Sequence, residues 1–201
     1  MPVDEIALFP LHAVLLPGGR IPLQIFEPRY LDLVSRCMKG QSRFGIVRIL
    51  QGHEVVQSRG ESPPAIAEIG TAAEIVDWDA LPGGRLRITV EGSRRFRVGP
   101  CHAQADRLLG ADVEWLPDAV APAPGPQHAH LLEIMAGLAA HPALARLGVD
   151  GAPRDAARLA YQLAQYLPLD EDDRYAVLAG ESPLEGLAFL DRIVKDLGGG
   201  P

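Results

Sequence analysis

The sequence predicts an α+β protein, with a strand-rich amino-terminal part followed by a small helical bundle. Over residues 1–116, several segments alternate apolar and polar residues with the period of two that is typical of half-buried strands. Over residues 127–201, apolar residues instead recur at helical spacing. The stretch 117–126 separates the two patterns. Its four prolines remove backbone donors and favour extended chain, so we expect a linker there.

The strand predictions depend on alternation and on turn residues. The clearest strand covers 85–98, where apolar side chains alternate with Arg, Thr and Glu, and Gly92 with Ser93 predicts a bulge within it. In 21–26, Ile and Leu alternate with Pro22, Gln24 and Phe26, which predicts a half-buried strand. Further strands are predicted at 6–10, 44–50, 67–76 and 101–115, and a loop is predicted at 57–65.

The helix predictions depend on apolar stripes and on residues typical of helix ends. Pro28 suits the first turn of a helix near 28–39, because its missing N–H would be unpaired there in any case. One face of this helix is apolar and is expected to be buried; it carries Tyr30, Leu33, Val34 and Cys37. Four more helices are predicted near 131–138, 156–167, 170–178 and 183–197, the last opening with a Ser-Pro-Leu-Glu capping box.

Composition and charge narrow the possible functions. The formal net charge of −7 repels phosphate backbones and argues against nonspecific nucleic-acid binding. Cys37 and Cys101 are the only cysteines and form no Cys-x-x-Cys pair, so neither a disulfide scaffold nor a zinc–thiolate site is expected. The first residues are acidic where a signal peptide needs bases, and no apolar run is long enough to span a membrane. We therefore expect a soluble, cytoplasmic protein.

Motifs for catalysis are absent from the sequence. There is no Gly-x-x-x-x-Gly-Lys-Ser/Thr phosphate loop, and Gly83 and Gly84 lie between two predicted strands, where a hairpin turn is the better interpretation. The only lysines, Lys39 and Lys195, lie near predicted helix ends and are poorly placed for a Ser–Lys pair. Cys37 lies on the apolar face of its predicted helix, which favours a buried, inert thiol over a nucleophile.

The histidines do not have the spacing of a metal site. His128 and His130 are two residues apart, so on a helix they point in different directions, and His141 precedes Pro142 at a predicted helix end. We therefore expect neither a metal ion nor any other cofactor.

Five short pieces, in order along the chain, together resemble a known family. The first is the opening run of 8–11 (LFPL), 14–18 (VLLPG), 21–23 (IPL) and 25–30 (IFEPRY), and the others are 44–47 (FGIV), 68–72 (EIGTA), 90–92 with 95–96, and 167–169 (LPL). They resemble the amino-terminal substrate-binding domain of Lon-type ATP-dependent proteases, a domain that also occurs in cereblon. The resemblance extends over nearly the whole chain.

The resemblance implies both a fold and a function. The fold would be a twisted, PUA-like β pseudo-barrel at 1–116, followed by the 117–126 linker and a helical bundle at 127–201. The function would be noncatalytic recognition of unfolded or hydrophobic polypeptide, linked to a Lon-type proteolytic system. In full-length Lon an ATPase and a Ser–Lys peptidase follow this region, whereas this sequence ends at Pro201, so we expect a free-standing protein without either activity.

The junction between the strand at 21–26 and the helix after it is the candidate peptide-binding site. An extended polypeptide needs an apolar groove or a sheet edge, where backbone pairing supplies affinity with little demand on sequence. The candidate residues, beside the 57–65 loop, are Pro22, Phe26, Glu27, Arg29 and Tyr30. For Glu27 and Arg29 an ion pair or helix cap is favoured over a ligand contact, and for Tyr30 a place in the core is favoured.

An alternative site lies on the strand at 85–98. Its arginines, interleaved with Phe96, would suit a module that binds RNA or a small ligand on the β pseudo-barrel; they are Arg85, Arg87, Arg95 and Arg97. The acidic total charge and the absence of an aromatic stacking platform argue against RNA. The strict alternation favours arginines on the solvated face of a strand.

The absence of these catalytic motifs predicts that the protein has neither ATPase nor protease activity. Because the sequence has no phosphate loop and no Ser–Lys pair, we expect the purified protein neither to hydrolyse ATP nor to cleave casein. The measurement is phosphate release and casein degradation after extensive purification. Turnover that persists through purification and disappears in Cys37→Ala or Lys195→Ala would contradict the prediction.

Overall fold

The protein is described by a computed structural model, which covers residues 4–40, 42–54, 64–104, 106–118 and 121–198. The chain divides into two compact units. The first consists of Met1–Leu15 and Arg20–Pro117, and the second of Leu16–Gly19 and Asp118–Pro201. The predicted α+β class and the order of strands before helices are confirmed. The sequence prediction assigned residues 16–19 to the strand-rich part, whereas the structure groups them with the helices.

In the part of the chain that the structure describes, the first unit is a six-stranded mixed sheet with one helix. The strands follow the order β2-β5-β4-β3-β1-β6, and β6 also pairs with β5, so that β5, β4, β3, β1 and β6 close into a barrel. Among the strand pairings of the described residues, only that of β1 with β3 is parallel. The elements are β1 (Asp4–Leu11), β2 (Arg20–Ile25), α1 (Pro28–Gly40), β3 (Phe44–Gln51), β4 (Ala65–Leu81), β5 (Arg85–Ala103) and β6 (Leu109–Trp115).

The strands differ from the sequence prediction mainly in length. The predicted strand at 101–115 is wrong, because residues 101–103 complete β5 and a turn precedes β6. In this turn the N–H of Gln104 donates to the carbonyl of Leu108 at 2.8 Å, and the N–H of Arg107 donates to the carbonyl of Gln104 at 2.9 Å. The predicted loop at 57–65 lies mostly outside the described residues, and Ala65 already belongs to β4.

Two apolar clusters form on the two faces of the sheet, because successive residues of a strand point to opposite sides. Leu8 and Val47 belong to the first cluster, and their chain neighbours Phe9 and Ile46 belong to the second cluster. The second cluster includes the predicted apolar face of α1, which is buried: Tyr30, Leu33, Val34 and Cys37. Burying both faces explains why the strands of the barrel contain long apolar runs.

Phe96 of β5 is fully buried in the first cluster, and the space for its ring depends on two glycines. A Cβ atom added to Gly45 of β3 or to Gly70 of β4 would lie 2.6 Å from Cζ of the Phe96 ring. At Gly70 it would also lie 2.8 Å from the carbonyl oxygen of Ile46, which is backbone and cannot turn away. Only glycine at these two positions leaves room for the ring.

A bulge in β5 sends its two halves to different faces of the sheet. Opposite β4, the register advances from Gly92 to Arg95 on β5 while it advances only from Ala73 to Thr71 on β4. The bulge predicted at Gly92 and Ser93 is therefore present, with one extra residue on β5. Before the bulge, the even-numbered apolar residues of β5 belong to the second cluster. After the bulge they belong to the first cluster, which includes Phe96.

The same bulge overturns the prediction for Arg95. The sequence alternation placed Arg95 on the solvated face with the other arginines of β5, but the residue is buried. It lies opposite Thr71, which is also fully buried, and on the same face as Ala73. Because of the extra residue, odd-numbered side chains of β5 after the bulge point to the opposite face from those before it. Alternation carried on from the first half of the strand therefore assigns the wrong face to Arg95.

The second unit contains five helices within the residues described, one more than predicted, together with a short 3₁₀ turn at Pro126–His128. The additional helix is α3, which begins at Pro142, and the His141 side chain accepts a hydrogen bond from the N–H of Ala143. Asp155 and Asp170 cap the next two helices. The helices are α2 (Ala129–Ala140), α3 (Pro142–Arg146), α4 (Ala156–Tyr166), α5 (Glu171–Ala179) and α6 (Pro183–Gly198).

The Leu16–Gly19 segment belongs to the second unit through contacts with α4. The backbone N–H of Leu16 donates to Oε1 of Gln165 at 2.8 Å. A Cβ atom added to Gly19 would lie 2.6 Å from the same oxygen, and Gly18 has a φ of +72° that disfavours other residues. The Pro-Gly-Gly turn thus allows the close approach to Gln165.

The fit of Phe96 against Gly70 predicts the effect of two substitutions on stability. We expect Gly70→Ala to lower the free energy of unfolding by about 1–3 kcal/mol through overpacking, and Phe96→Ala to lower it by about 3–5 kcal/mol through a cavity. The matched control is Gly137→Ala in α2, where an added Cβ meets nothing within 4 Å. It should be neutral or stabilising by up to about 1 kcal/mol. Urea unfolding followed by circular dichroism measures all three, and an unaffected Gly70→Ala would contradict the packing argument.

Candidate functional site

An open groove of about 180 Å³ runs beside β2 in the first unit. Its lining is mainly apolar, with two carboxylates and one amide. The lining residues are Phe9, Leu11, Pro22, Leu23, Gln24, Ile25, Phe26, Glu27, Tyr30 and Glu54. Four of the five predicted peptide-binding residues therefore line one groove, and the fifth, Arg29, contacts three of the residues around it.

The groove lies along an edge of the sheet. Among the strands that the structure describes, β2 has β5 on one side and no strand on the other. Pro22 pairs with Thr89 of β5, and a proline is accommodated in a strand where its nitrogen faces away from the partner. The backbone groups of Gln24, two residues further on, then face the open edge as well. This edge can accept backbone hydrogen bonds from an extended chain.

The side chains of β2 alternate as the sequence predicted. Ile25 is buried and Ile21 and Leu23 pack against the second apolar cluster, whereas Pro22 and Gln24 are exposed. Phe26, directly after the strand, is 55% exposed and is among the most exposed large apolar side chains of the described chain. An exposed phenylalanine beside an apolar groove is a feature of surfaces that bind other chains.

Tyr30 forms part of the groove wall from the first turn of α1. Its ring stacks on Phe9 with the centroids 4.0 Å apart, and the Arg29 guanidinium lies 4.5 Å from its centroid. The residue is only 5% exposed, as its position on the apolar face of the helix predicted. The pKa of Tyr30 is raised to about 12, chiefly by burial; the charge of Arg29 lowers it, and the carboxylates of Glu27 and Glu54 oppose that lowering. The phenol is therefore neutral at pH 7 and keeps its O–H.

Arg29 organises the polar end of the groove. Its Nε and Nη2 atoms each lie 2.9 Å from Oε2 of Glu27, so the predicted ion pair is present. Nη1 donates to the carbonyl of Arg107 at 3.1 Å, and Nη2 reaches the carbonyl of Glu54 at 3.5 Å. Arg107 itself has a φ of +65°, a left-handed conformation in the turn before β6. Arg29 thus joins α1, the end of β3 and this turn, and its donors are already engaged.

Glu54 is the second carboxylate of the groove and was not among the predicted site residues. It follows β3, its side chain is exposed, and Oε1 accepts the backbone N–H of His12 at 2.7 Å. Gln24 was also missed. No local pattern marks Glu54, since it is 27 positions from Glu27 in the sequence and only the pairing of β3 brings it to the groove.

The structure does not assemble the four arginines of the alternative site. Arg95 is buried, and Arg97 forms an ion pair of 3.6 Å with Glu68. Arg85 and Arg87 lie at the other end of β5, roughly 30–40 Å from Arg97 along an extended strand. Arg87 lies opposite Asp79 of β4, and Nε of Arg85 donates to the carbonyl of Pro82.

A second groove, of about 570 Å³, was not predicted from the sequence. Its lining includes Met38, Val76 and Trp78, which are three of the most exposed large apolar residues. The strand was predicted to end at Val76, but Val76 is a bulge between the pairs Ile75–Val90 and Asp77–Thr89, and β4 continues past it. Cys37 contributes to this groove with a thiol whose pKa is raised by burial, which disfavours a nucleophilic thiolate.

The described residues contain neither a cluster of metal ligands nor a helix suited to crossing a membrane. Within 4–40, 42–54, 64–104, 106–118 and 121–198, no group of three or more His, Cys, Asp or Glu residues could hold a metal ion. No helix in these ranges combines the length and the hydropathy that crossing a membrane requires.

Comparison with known proteins places the chain in a family. The model of the ATP-dependent protease La (LON) substrate-binding domain matches residues 5–196. The chain belongs to this family. The resemblance inferred from the five sequence pieces is thereby confirmed, and the matched region is the substrate-binding domain of Lon and not its protease domain.

Individual relatives agree with the family assignment of this Lon substrate-binding domain. Lon protease 1 of Herpetosiphon aurantiacus is 27% identical over 199 residues, which make up 95% of this chain and 24% of that protein. Cereblon of Danio rerio is 31% identical over 114 residues, or 55% of this chain and 25% of that protein. This chain therefore spans only about a quarter of the length of these curated relatives.

Solved structures show the same fold. A Lon N-terminal domain protein from Xanthomonas campestris superposes with a TM-score of 0.71 at 33% identity, covering 93% of this chain and 96% of that one. The N-terminal domain of a Mycobacterium avium complex Lon protease superposes with a TM-score of 0.61 at 16% identity.

The contacts of Arg29 predict that it stabilises this Lon substrate-binding domain. We expect Arg29→Met to lower the free energy of unfolding by about 2–4 kcal/mol, because it leaves Glu27 unpaired and removes hydrogen bonds to two carbonyls. Arg29→Lys should recover only part of the loss, since one ammonium cannot reproduce the planar set of donors. The matched control is Arg36→Met on the same helix, whose ion pair with Asp106 is more exposed and should contribute at most about 1 kcal/mol. Equal losses for Arg29→Met and Arg36→Met in urea unfolding would contradict this role.

Proposed function

We propose that this chain recognises unfolded or hydrophobic polypeptide without catalysing a reaction, and that it acts in the cytoplasm with a Lon-type proteolytic system. The observation that carries the proposal is the apolar groove beside the open edge of β2, in a chain that belongs to the Lon substrate-binding domain family. Family membership supports a role in substrate recognition. The groove supports a mode of binding that the family name alone does not specify.

The proposed binding mode combines backbone pairing with one apolar contact. An extended peptide adds to β2, and the outward backbone groups of Gln24 supply hydrogen bonds that are independent of the peptide's sequence. Phe26 and the groove receive apolar side chains of the peptide. A volume of about 180 Å³ suits one side chain and not a folded element, which favours unfolded segments as ligands.

This mode predicts weak binding that depends little on salt. We expect a Kd on the order of 10–100 μM for a labelled unfolded protein, because an extended chain loses conformational freedom on docking and a shallow groove offers no deep pocket. Between roughly 50 and 300 mM salt the affinity should change by only a few-fold, since apolar contacts and backbone pairing are barely screened. No binding at 1 mM sites would contradict the proposal. A loss of a hundredfold or more with salt would instead favour nucleic-acid binding through the β5 arginines.

Two pairs of variants test the location and the mode. Phe26→Ala should weaken binding about tenfold, whereas Leu50→Ala, which removes a side chain of similar exposure from β3 outside the groove, should not. Gln24→Pro should weaken binding by removing an N–H from the open edge, while Gln24→Ala keeps that N–H and should bind normally. Equal affinities within each pair, measured by fluorescence anisotropy on variants with unchanged circular dichroism, would argue against this groove.

A further inference from the structure

The part of β4 that extends past β3 forms a further open edge of the sheet. Strand β3 pairs with β4 only as far as Phe44, which lies opposite Ala73. Over the residues after Ala73, β4 pairs with β5 on one side, and no described strand pairs with it on the other. The backbone groups on that side can therefore form hydrogen bonds with an added strand.

The second groove, of about 570 Å³, lies along this edge and exposes large apolar side chains. Residues 74–78 of β4 line it without interruption. Trp78 is 51% exposed, and Val76 and Met38 are exposed beside it. Trp78 lies opposite Ile88, which is fully buried in the second cluster, so the apolar face of the sheet continues to its edge. Unpaired backbone beside exposed apolar side chains is typical of surfaces that bind another chain.

Two carboxylates on the other face of this edge have no cationic partner within the described chain. Asp77 and Asp79 are both exposed and form no ion pair there. Oδ1 of Asp77 accepts the N–H of the next residue, Trp78, at 2.9 Å, which is a local and neutral bond. Glu74 differs, because its Oε1 lies 2.7 Å from Nε of Arg43. The unbalanced negative charge is thus confined to Asp77 and Asp79.

The strand that already pairs with this segment shows which sequence pattern matches it. Strand β5 carries Arg87 opposite Asp79 and Ile88 opposite Trp78, and basic and apolar residues alternate over 85–88. Side chains directly opposite each other on neighbouring strands share a face, where opposite charges attract and like charges repel. A strand added on the open side of β4 meets the same two rows, with carboxylates on one face and the indole on the other.

The same charges disfavour a second copy of this edge as the occupant. Pairing of two β4 edges would place the carboxylates of both copies on one face in neighbouring rows, with no cation between them. Sheets use like charges on their edges in this way to prevent self-association. A basic strand reverses the sign of the interaction, so charge complementarity favours it over a copy of this chain.

We propose that this edge of β4 binds an extended polypeptide segment in which arginine or lysine alternates with apolar residues. Basic side chains of the segment lie opposite Asp77 and Asp79, and the apolar side chain between them packs on Trp78 in the second groove. The site is distinct from the β2 groove, and it does not depend on the function proposed for that groove.

The test uses three acetylated and amidated peptides of ten residues without tryptophan. Each alternates valine with a second residue, which is arginine, glutamine or glutamate. In roughly 50 mM salt, the anisotropy of a terminal label should show that the arginine peptide binds about fivefold to tenfold more tightly than the glutamine peptide, and that the glutamate peptide binds more weakly still. At roughly 300 mM salt the preference should fall to about twofold, because both carboxylates are exposed.

The fluorescence of Trp78 reports binding at this edge. The sequence has only two tryptophans, Trp78 and Trp115. Trp115→Phe leaves Trp78 as the one tryptophan and keeps an aromatic ring beside Phe96. Unlabelled arginine peptide should shift the emission of Trp78 to shorter wavelength, because the indole loses contact with water. A peptide that binds only in the β2 groove should leave this emission unchanged.

Variants locate the preference on β4. The double variant Asp77→Asn with Asp79→Asn removes both charges with little change in shape, and an asparagine oxygen can still accept the N–H of Trp78. It should bind the arginine and glutamine peptides about equally. Glu68→Gln is the matched control, because Glu68 is an exposed carboxylate of the same strand that does not line this groove. Circular dichroism and thermal unfolding show whether each variant keeps its fold.

The outcomes separate this site from the β2 groove. Peptide binding by anisotropy with an unshifted emission of Trp78 would overturn the β4 site and leave recognition in the β2 groove intact. Equal binding of the three peptides, or an arginine preference that survives the double variant, would overturn the basic class of partner. Binding of an unfolded protein that Phe26→Ala weakens, without any binding of the arginine peptide, would also overturn the β4 site alone.

Discussion

The packing of Phe96 against Gly45 and Gly70 is the constraint on which the first unit depends. A closed barrel of five strands has little interior space, and the Phe96 ring fits among its other apolar side chains only because the two strands facing the ring carry glycine at the contact. The bulge in β5 is what turns Phe96 toward that interior while residues before the bulge remain on the other face. Closure of the barrel around Phe96 therefore requires both the bulge in β5 and the two glycines.

The candidate site follows from how the barrel closes. Because β6 pairs with both β1 and β5, each of the five barrel strands has a partner on both sides along its paired regions. Strand β2 is not part of this closed ring and pairs with the amino-terminal half of β5. Its outer edge borders the apolar groove. Arg29 then holds the helix start, the end of β3 and the turn before β6 at one place, which gives the groove a polar end as well as an apolar one.

Much of this could be predicted from the sequence, for local reasons. Alternation in 21–26 identified the buried and exposed sides of β2, and the apolar stripe of α1 identified its buried face. Glu27 and Arg29 are two residues apart, so their ion pair was predictable. The positions that failed are those whose surroundings come from distant strands. Arg95 was assigned to solvent because a bulge changes parity without changing the sequence alternation, and Glu54 was missed because it reaches the groove only through the pairing of β3.

By itself, the sequence determined the α+β class, the order of strands before helices, the bulge in β5 and the family, because each of these depends on short-range patterns or on residues in linear order. Only the tertiary structure decided which strand has an open edge, which arginine is buried, and which carboxylates share the end of one groove. Those properties arise from strand pairing across tens of residues, and the energetics of closing the barrel select one pairing among many that the same local patterns allow.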